Sequence, residues 1–271
     1  MSAFWPALAA LAALLVMFTG VWWLSVSRTD AGIVDVFWAP GFVLVGLVEV
    51  TLTAPVSGAD LIVLSLTLLW AGRLALYLYH RHRRAGREDA RYAAMRAAGG
   101  PDWAQRSLYK VFWIQAFALW AIATPLHAAL LAGRAPAVSV LLIAIGGLLF
   151  AVGFALEAVA DTQLARFKSQ PDHQGQLFTG GLYALCRHPN YLGEIFVWWG
   201  LGLIALGLTD RWWALIGPAL LTYFIIKVSG IPPLEAHLSQ RQGFAAWAAR
   251  TPVLWPRLGR PASALSNEKG S

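Results

Sequence analysis

A chain of 271 residues that is 58% hydrophobic and 13% charged, with a mean hydropathy of +0.57, lies far from the ~45–50% apolar and ~25% charged make-up of soluble domains. That balance excludes a soluble enzyme, and a single cysteine, Cys186, excludes an internal disulfide framework. The formal charge of +7 falls between apolar runs, where it sets orientation in a bilayer rather than marking a nucleic-acid partner.

Taken in order, the chain reads as seven spans of about the ~20 residues a bilayer core requires. The first, residues 4–26, is too long and too rich in tryptophan for a cleaved leader and has no basic start, so it reads as a retained span. The others are 33–54, 59–80, 110–132, 137–160, 191–208 and 211–230. The linker after the third span carries Arg81, Arg83, Arg84, Arg87, Arg91, Arg96, Arg106 and Lys110, which assigns that side to the cytoplasm. The N-terminus is then outside and the C-terminus cytoplasmic, together with the polar segment 162–190 and the tail from Pro232. Only short turns, at 55–58, 133–136 and 209–211, are left outside. The expectation is an all-α, polytopic membrane protein of about seven transmembrane helices forming one integral domain over 1–271. Its motif-bearing part covers about 110–258, and it resides in a cell membrane, such as a bacterial inner membrane. Gly146, Gly147, Gly153, Gly200 and Gly202 permit close helix packing.

Charges at membrane depth are costly, so their clusters are candidate sites. The densest is Cys186-Arg187-His188-Pro189-Asn190-Tyr191-Leu192-Gly193-Glu194. Pro189 holds His188 extended and suits the first turn of a helix from about Asn190, whose free N–H groups beside Arg187 and His188 would attract an anion. Glu157 and Asp161 are four apart on one helix face. Their repulsion calls for a cation, hydroxyl or amide between them, either from a cofactor or from a neighbouring Lys or Arg. Lys168 and Arg187 suit phosphate, as a point charge and as a fork. Glu235, His237, Arg241 and Trp247 follow the break at Gly230-Ile-Pro-Pro, where a surface amphipathic helix is equally compatible. Within the spans lie Asp35, Glu49, Arg73, Tyr77, Tyr79 and Gln115. A carboxylic acid in an apolar pocket can stay protonated and donate, which suits Asp35, unless it pairs with Arg73. Trp38 and Trp70 are expected as walls of a substrate cavity. There is no P-loop and no Gly-x-Gly-x-x-Gly motif. The histidines are scattered in a way that supports no metal site.

The stretch Tyr183-Ala-Leu-Cys-Arg-His-Pro-Asn-Tyr-Leu-Gly-Glu194, with Glu157, Asp161 and Phe167-Lys168 before it and Ser229-Gly-Ile-Pro-Pro-Leu-Glu235 after it, resembles a bacterial membrane family related to the C-terminal domain of steroid 5α-reductases. The resemblance extends to Asp35-Val-Phe-Trp38, Trp70-Ala-Gly-Arg73, Glu88-Asp-Ala-Arg-Tyr92 and Phe112 to Gln115, nearly the whole chain. A looser form of the central string is shared with sterol reductases and isoprenylcysteine carboxyl methyltransferases. The resemblance implies a membrane-embedded, NADPH-dependent reductase of a carbon–carbon double bond, usually conjugated to a carbonyl, in a steroid-like or other lipophilic substrate arriving from the bilayer. No nucleic acid and no obligate protein partner are implied.

By that similarity Asp161, Lys168, Asn190 and Glu194 fall on dinucleotide-holding positions, with Glu157, Arg187, His188, Tyr191 and Glu235 beside them. Glu157 stands where the steroid reductases have asparagine, and Gln176 stands near the place of an expected phosphate-binding arginine. At the substrate end their Gln-Glu-Leu-Pro string and a tyrosine are replaced by Phe37-Trp-Ala-Pro40 and Leu69-Trp-Ala71. The expected catalytic groups are therefore Asp35, Arg73 and Tyr77, with Trp38, Trp70 and Gln115 against the substrate. The alternative is an S-adenosylmethionine-dependent methyltransferase of the isoprenylcysteine type.

Overall fold

In a computed structural model that describes residues 5–53, 57–131 and 138–256, the regular structure is helical. The helices are α1 (Trp5–Arg28), α2 (Val34–Leu52), α3 (Gly58–Ala85), α4 (Ala90–Gly99), α5 (Trp103–Ser107) and α6 (Ile114–Ile122). They are followed by α7 (Thr124–Leu131), α8 (Val140–Lys168), α9 (Pro189–Thr209), α10 (Ile216–Tyr223), α11 (Ile231–Leu238) and α12 (Phe244–Arg250). Six helical stretches are long and apolar enough to cross a membrane, and a bent pair raises the number to seven. The protein is thus an all-α, multi-pass integral membrane protein, as its hydropathy predicts. The turns expected at 55–58 and 133–136 lie largely outside the described residues.

Two boundaries differ from the sequence expectation and a third agrees with it. The fourth span is not one rod: residues 103–122 and 124–131 meet at 52°. Pro125, at the second position of α7, has no N–H to continue the helical ladder across Thr124. The fifth helix does not end near residue 160 but runs on to Lys168, carrying Glu157, Asp161 and Lys168 on one rigid element. α9 starts at Pro189, the N1 position that proline favours.

The described residues group into two compact units, one of residues up to 150 with 198–220, the other of 151–197 with 221–256. In the first unit, indole N–H groups stitch α1 to the helical stretch that follows α4. Trp22 donates to the Ala104 carbonyl at 2.8 Å, Trp113 to Thr19 Oγ1 at 3.0 Å and Trp120 to the Ala7 carbonyl at 2.8 Å. Such bonds satisfy polar edges that the bilayer cannot. Phe42, Trp70 and Trp198 form a fully buried aromatic cluster, with ring centroids 4.3–5.8 Å apart and Trp38 edge-on to Phe42 at 5.6 Å.

In the second unit, glycines set the approach of α8 to α9. A Cβ on Gly153 would lie 2.6 Å from the Gly193 carbonyl oxygen, and one on Gly193 would lie 2.6 Å from the Glu157 nitrogen. Only residues without a side chain let two backbones meet so closely. That contact fixes Glu157, and Asp161 one turn on, beside the head of α9. Below it Ala160, Tyr183 and Trp247 form a small apolar core with Leu164, Leu177, Phe178, Leu182 and Phe244 packed against it. The Trp247 indole donates to the Tyr183 carbonyl at 3.2 Å and locks α12 to the loop before α9.

Candidate functional site

The head of α9 gathers polar groups from four segments of the second unit. Asp161 and Glu157 are buried, at 2% and 3% exposure, which for carboxylates at membrane depth demands partners. Asn190 Nδ2 donates to Asp161 Oδ1 over a long 3.4 Å. Two residues before Asn190, His188 is buried and its Nε2 lies 2.8 Å from Glu235 Oε1, on α11. The Tyr191 ring stacks on the imidazole at 5.6 Å. Burial pushes the His188 pKa below its ordinary value, and the Arg187 charge adds to this; the Glu235 carboxylate opposes both without reversing them. With Nε2–H donated to Glu235, the neutral ring turns a basic Nδ1 elsewhere.

Arg187 Nε also approaches Glu235 Oε1, at 3.2 Å. Its N–H is off line, so this buried donor makes an ion pair but no hydrogen bond. The backbone of the motif is clamped by the tail, with Arg187 N–H donating to the Pro252 carbonyl at 2.9 Å and His188 N–H to that of Val253 at 3.2 Å. Leu182 N–H is held by Gln163 Oε1 at 2.9 Å, and Arg241 reaches the Gln176 carbonyl at 2.7 Å. Burial raises the Cys186 thiol to about 11, so it is a packing residue and no nucleophile at neutral pH.

Among the described residues the buried Arg187 Nε–H makes no hydrogen bond, an open donor that an anionic oxygen of a phosphate-bearing cofactor would fit. The residue set fits such a group: Asp161 and Glu157 for hydroxyls, Asn190 for an amide or hydroxyl, Arg187 and Lys168 for anionic oxygens. Of the nine residues expected to bind cofactor, Asp161 and Asn190 meet in one contact and Arg187, His188, Tyr191 and Glu235 in a second set, while the Glu157 backbone packs on Gly193. Lys168 ends α8 and Glu194 lies in the second turn of α9. That Glu235 engages Arg187 was not expected, because the two are 48 residues apart.

The residues expected at the substrate end lie in the first unit and divide. Asp35, in the first turn of α2, accepts from Tyr92 OH at 2.7 Å and from Arg91 Nη2 at 2.9 Å, with Arg81 Nη2 at 3.6 Å. The apolar pocket that would keep Asp35 as a donor is therefore replaced by two guanidinium groups and a phenol, and Asp35 acts as an acceptor. The α3 arginine facing it is Arg81, eight residues or ~12 Å of helix beyond Arg73. Gln115 Nε2 reaches Tyr92 OH at 3.4 Å. Burial, then the Asp35 charge, raises the Tyr92 phenol well above its ordinary value, so it is a hydrogen-bond donor at all ordinary pH.

Around this hub Arg91 also binds Asp89, and Arg96 grips Glu88 through two hydrogen bonds of 2.7 and 3.1 Å while Ala31 N–H donates to the same carboxylate. Burial pushes the Glu88 and Asp89 carboxyls up, but these hydrogen bonds outweigh it and hold both below their ordinary values. Arg73 and Tyr77 form a separate cation–π pair at 5.7 Å. Trp70 is sealed in the aromatic cluster rather than lining an open wall, and Trp38 is partly buried beside it. Sequence reasoning does not single out Arg91 and Tyr92, although both lie in the Glu88-Asp-Ala-Arg-Tyr92 stretch that carries the family resemblance.

A family model described as "Protein of unknown function (DUF1295)" matches residues 21–251. A protein of Ustilaginoidea virens named "Probable O-methyltransferase ustE" is 31% identical over 120 residues, which is 43% of this chain. The chain matches only 39% of that relative's length. No solved structure matches the chain significantly. The chain belongs to the DUF1295 family, which is of the general steroid 5α-reductase-like kind.

Proposed function

We propose that this DUF1295 protein is a membrane enzyme that binds a nucleotide-bearing cofactor at the head of α9 and reduces a carbon–carbon double bond, conjugated to a carbonyl, in a lipophilic substrate. The observation that carries the reading is the meeting of Asp161, Asn190, Arg187, His188 and Glu235 at one helix start, with a buried Arg187 N–H left without a hydrogen bond. The family kind favours NADPH, which when bound would supply the hydride. In this reading Asp161 and Glu157 accept from hydroxyls, Asn190 orients an amide, and Lys168 and Arg187 meet phosphate, with Glu235 aiming Arg187. His188 and Tyr191 wall the site as a stacked pair, and Glu194 completes it. On the substrate side Asp35, Tyr92 and Gln115 form a positioning network, in which the single Tyr92 phenolic proton is donated to Asp35 and Gln115 donates to the phenol oxygen. Arg73, Tyr77 and Trp38 are the further groups assigned to that end. We place the protein in a bacterial cell membrane with the basic linker inside.

A second reading, S-adenosylmethionine-dependent methyl transfer, is favoured by two specific observations. Arg187, the expected phosphate fork, is engaged by Glu235. The set holds four carboxylates, Glu157, Asp161, Glu194 and Glu235, and two cations, Lys168 and Arg187, a balance that suits a sulfonium better than several phosphates. The name of the Ustilaginoidea virens relative, a probable O-methyltransferase, points the same way. Isothermal titration of the purified protein in nanodiscs with NADPH, NADH and S-adenosylmethionine separates the readings. Saturable binding of NADPH alone, followed by its oxidation on addition of a lipophilic enone, is the expected result.

A further inference from the structure

Glu49 on α2 and His127 on α7 meet inside the first unit, in a part of the fold that the cofactor reading does not use. Glu49 is fully buried, the His127 side chain is 9% exposed, and Glu49 Oε1 is hydrogen-bonded to His127 Nδ1. Glu49 lies 14 residues, or ~21 Å of helix, beyond Asp35 on α2, so the pair is distinct from the Asp35 hub.

The other ring nitrogen, Nε2, is 3.0 Å from the Trp120 carbonyl oxygen. A carbonyl can only accept, so Nε2 carries a hydrogen. Nδ1 and Oε1 can then approach only with a proton between them, whether the formula is imidazolium and carboxylate or imidazole and carboxylic acid. Both formulas hold one proton and no net charge. Glu49 Oε2 is buried without a hydrogen bond among the described residues, so no further donor compensates a change of charge there.

The position of the pair gives this proton a consequence. Trp120 precedes the 52° break and His127 follows it, so one imidazole bridges the break and reaches across to α2. Thr124, at the break itself, donates to the Ala214 carbonyl at 3.1 Å and accepts from Gly217 N–H at 2.8 Å. The bent span is thus braced on two sides, and on the α2 side the brace is a proton shared between two ionisable groups.

We propose that Glu49 and His127 form an intramembrane proton-binding site that latches the bent fourth span to α2. Loss of the shared proton would leave a buried negative charge, and gain of a second a buried positive one; both are unfavourable in an apolar interior. Either change loosens α7. Other ionisable groups near this end are few. α1 brings none before Arg28. α3 brings Asp60, which is capped on Ser57 N–H, and the turn packed on α7 is preceded by the exposed Asp210 and Arg211.

The test is hydrogen–deuterium exchange of the 120–131 segment in the full-length protein in nanodiscs, across pH and corrected for the intrinsic exchange rate. The wild type should be most protected near neutrality and less so on both sides. Glu49→Gln keeps a donor to Nδ1 but cannot lose that proton, so it should hold neutral protection and lose the alkaline limb. His127→Ala should raise exchange ~10-fold or more at every pH. If Glu49→Gln reproduces the wild-type pH profile, or if the wild-type profile is flat, the proposal is overturned. Should His127→Ala not fold, the comparison of Glu49→Gln with wild type decides alone.

Discussion

Around Asp35 the charged groups of the described residues pair with one another: Arg91 with Asp35 and Asp89, Arg96 with Glu88, Tyr92 with Asp35 and Gln115. At the head of α9 the carboxylates are more deeply buried, the Asp161–Asn190 contact is stretched to 3.4 Å, and Arg187 Nε, buried, makes no hydrogen bond among the described residues. The first arrangement is closed and reads as positioning. The second keeps one buried donor whose hydrogen bond is unmade, and such a donor is what a bound anionic group would satisfy.

The comparison can be broken most sharply at Asp161. Replacing it with alanine should weaken cofactor binding by ~10–100-fold, the value of one or two hydrogen bonds to a charged group, with helix content in circular dichroism unchanged. Gly193→Leu attacks the scaffold under the same site. Overpacking of ~1–3 kcal/mol, at the upper end because backbone atoms would have to move, should lower the unfolding temperature by several degrees.

Asp35→Asn should cost only about 1 kcal/mol, because its arginine partners are nearly half exposed, and should leave calorimetric cofactor affinity unchanged. A loss of affinity there would erase the distinction between the two clusters. His188 gives a smaller effect with a definite sign. Its folded pKa is depressed below 6.5, so it contributes stability at neutral pH that is lost as the pH falls through the weakly acidic range. Thermal unfolding followed from pH 7.5 to 5 should show that slope, and His188→Gln should flatten it. Least perturbing of all, Cys186 should resist maleimide at neutral pH in the folded protein and react once unfolded.

Much of the scaffold is legible from local pattern. Apolar runs mark the spans, Pro189 marks the start of α9, and Gly153 marks one side of a close crossing whose other side is Gly193. The bend at Thr124 was not anticipated although Pro125 was in view, because hydropathy averages over a break that keeps its apolar character. At the head of α9, the shared face of Glu157 and Asp161 follows from helical spacing, and the interest of Asn190 from resemblance. What local pattern cannot supply is pairing over long separations. Asp35 meets Arg91 and Tyr92 across more than fifty residues, Glu235 reaches Arg187 and His188 across almost as many, and Glu49 finds His127 across 78. Each pairing changed the expected chemistry. Asp35 turned from proton donor into acceptor, Arg187 from free fork into a partly engaged one, and Glu49 from a bystander into half of a buried pair.

The claim on which the account turns is that the head of α9 holds a nucleotide-bearing cofactor. Calorimetric titration of the purified wild type and of Asn190→Ala with NADPH and with S-adenosylmethionine tests it directly. The account predicts saturable binding of NADPH by the wild type and at least ~10-fold weaker binding by the variant. Saturable binding of S-adenosylmethionine instead would move the protein to the methyltransferase reading. Binding of neither, or a variant that binds as tightly as wild type, would contradict the account.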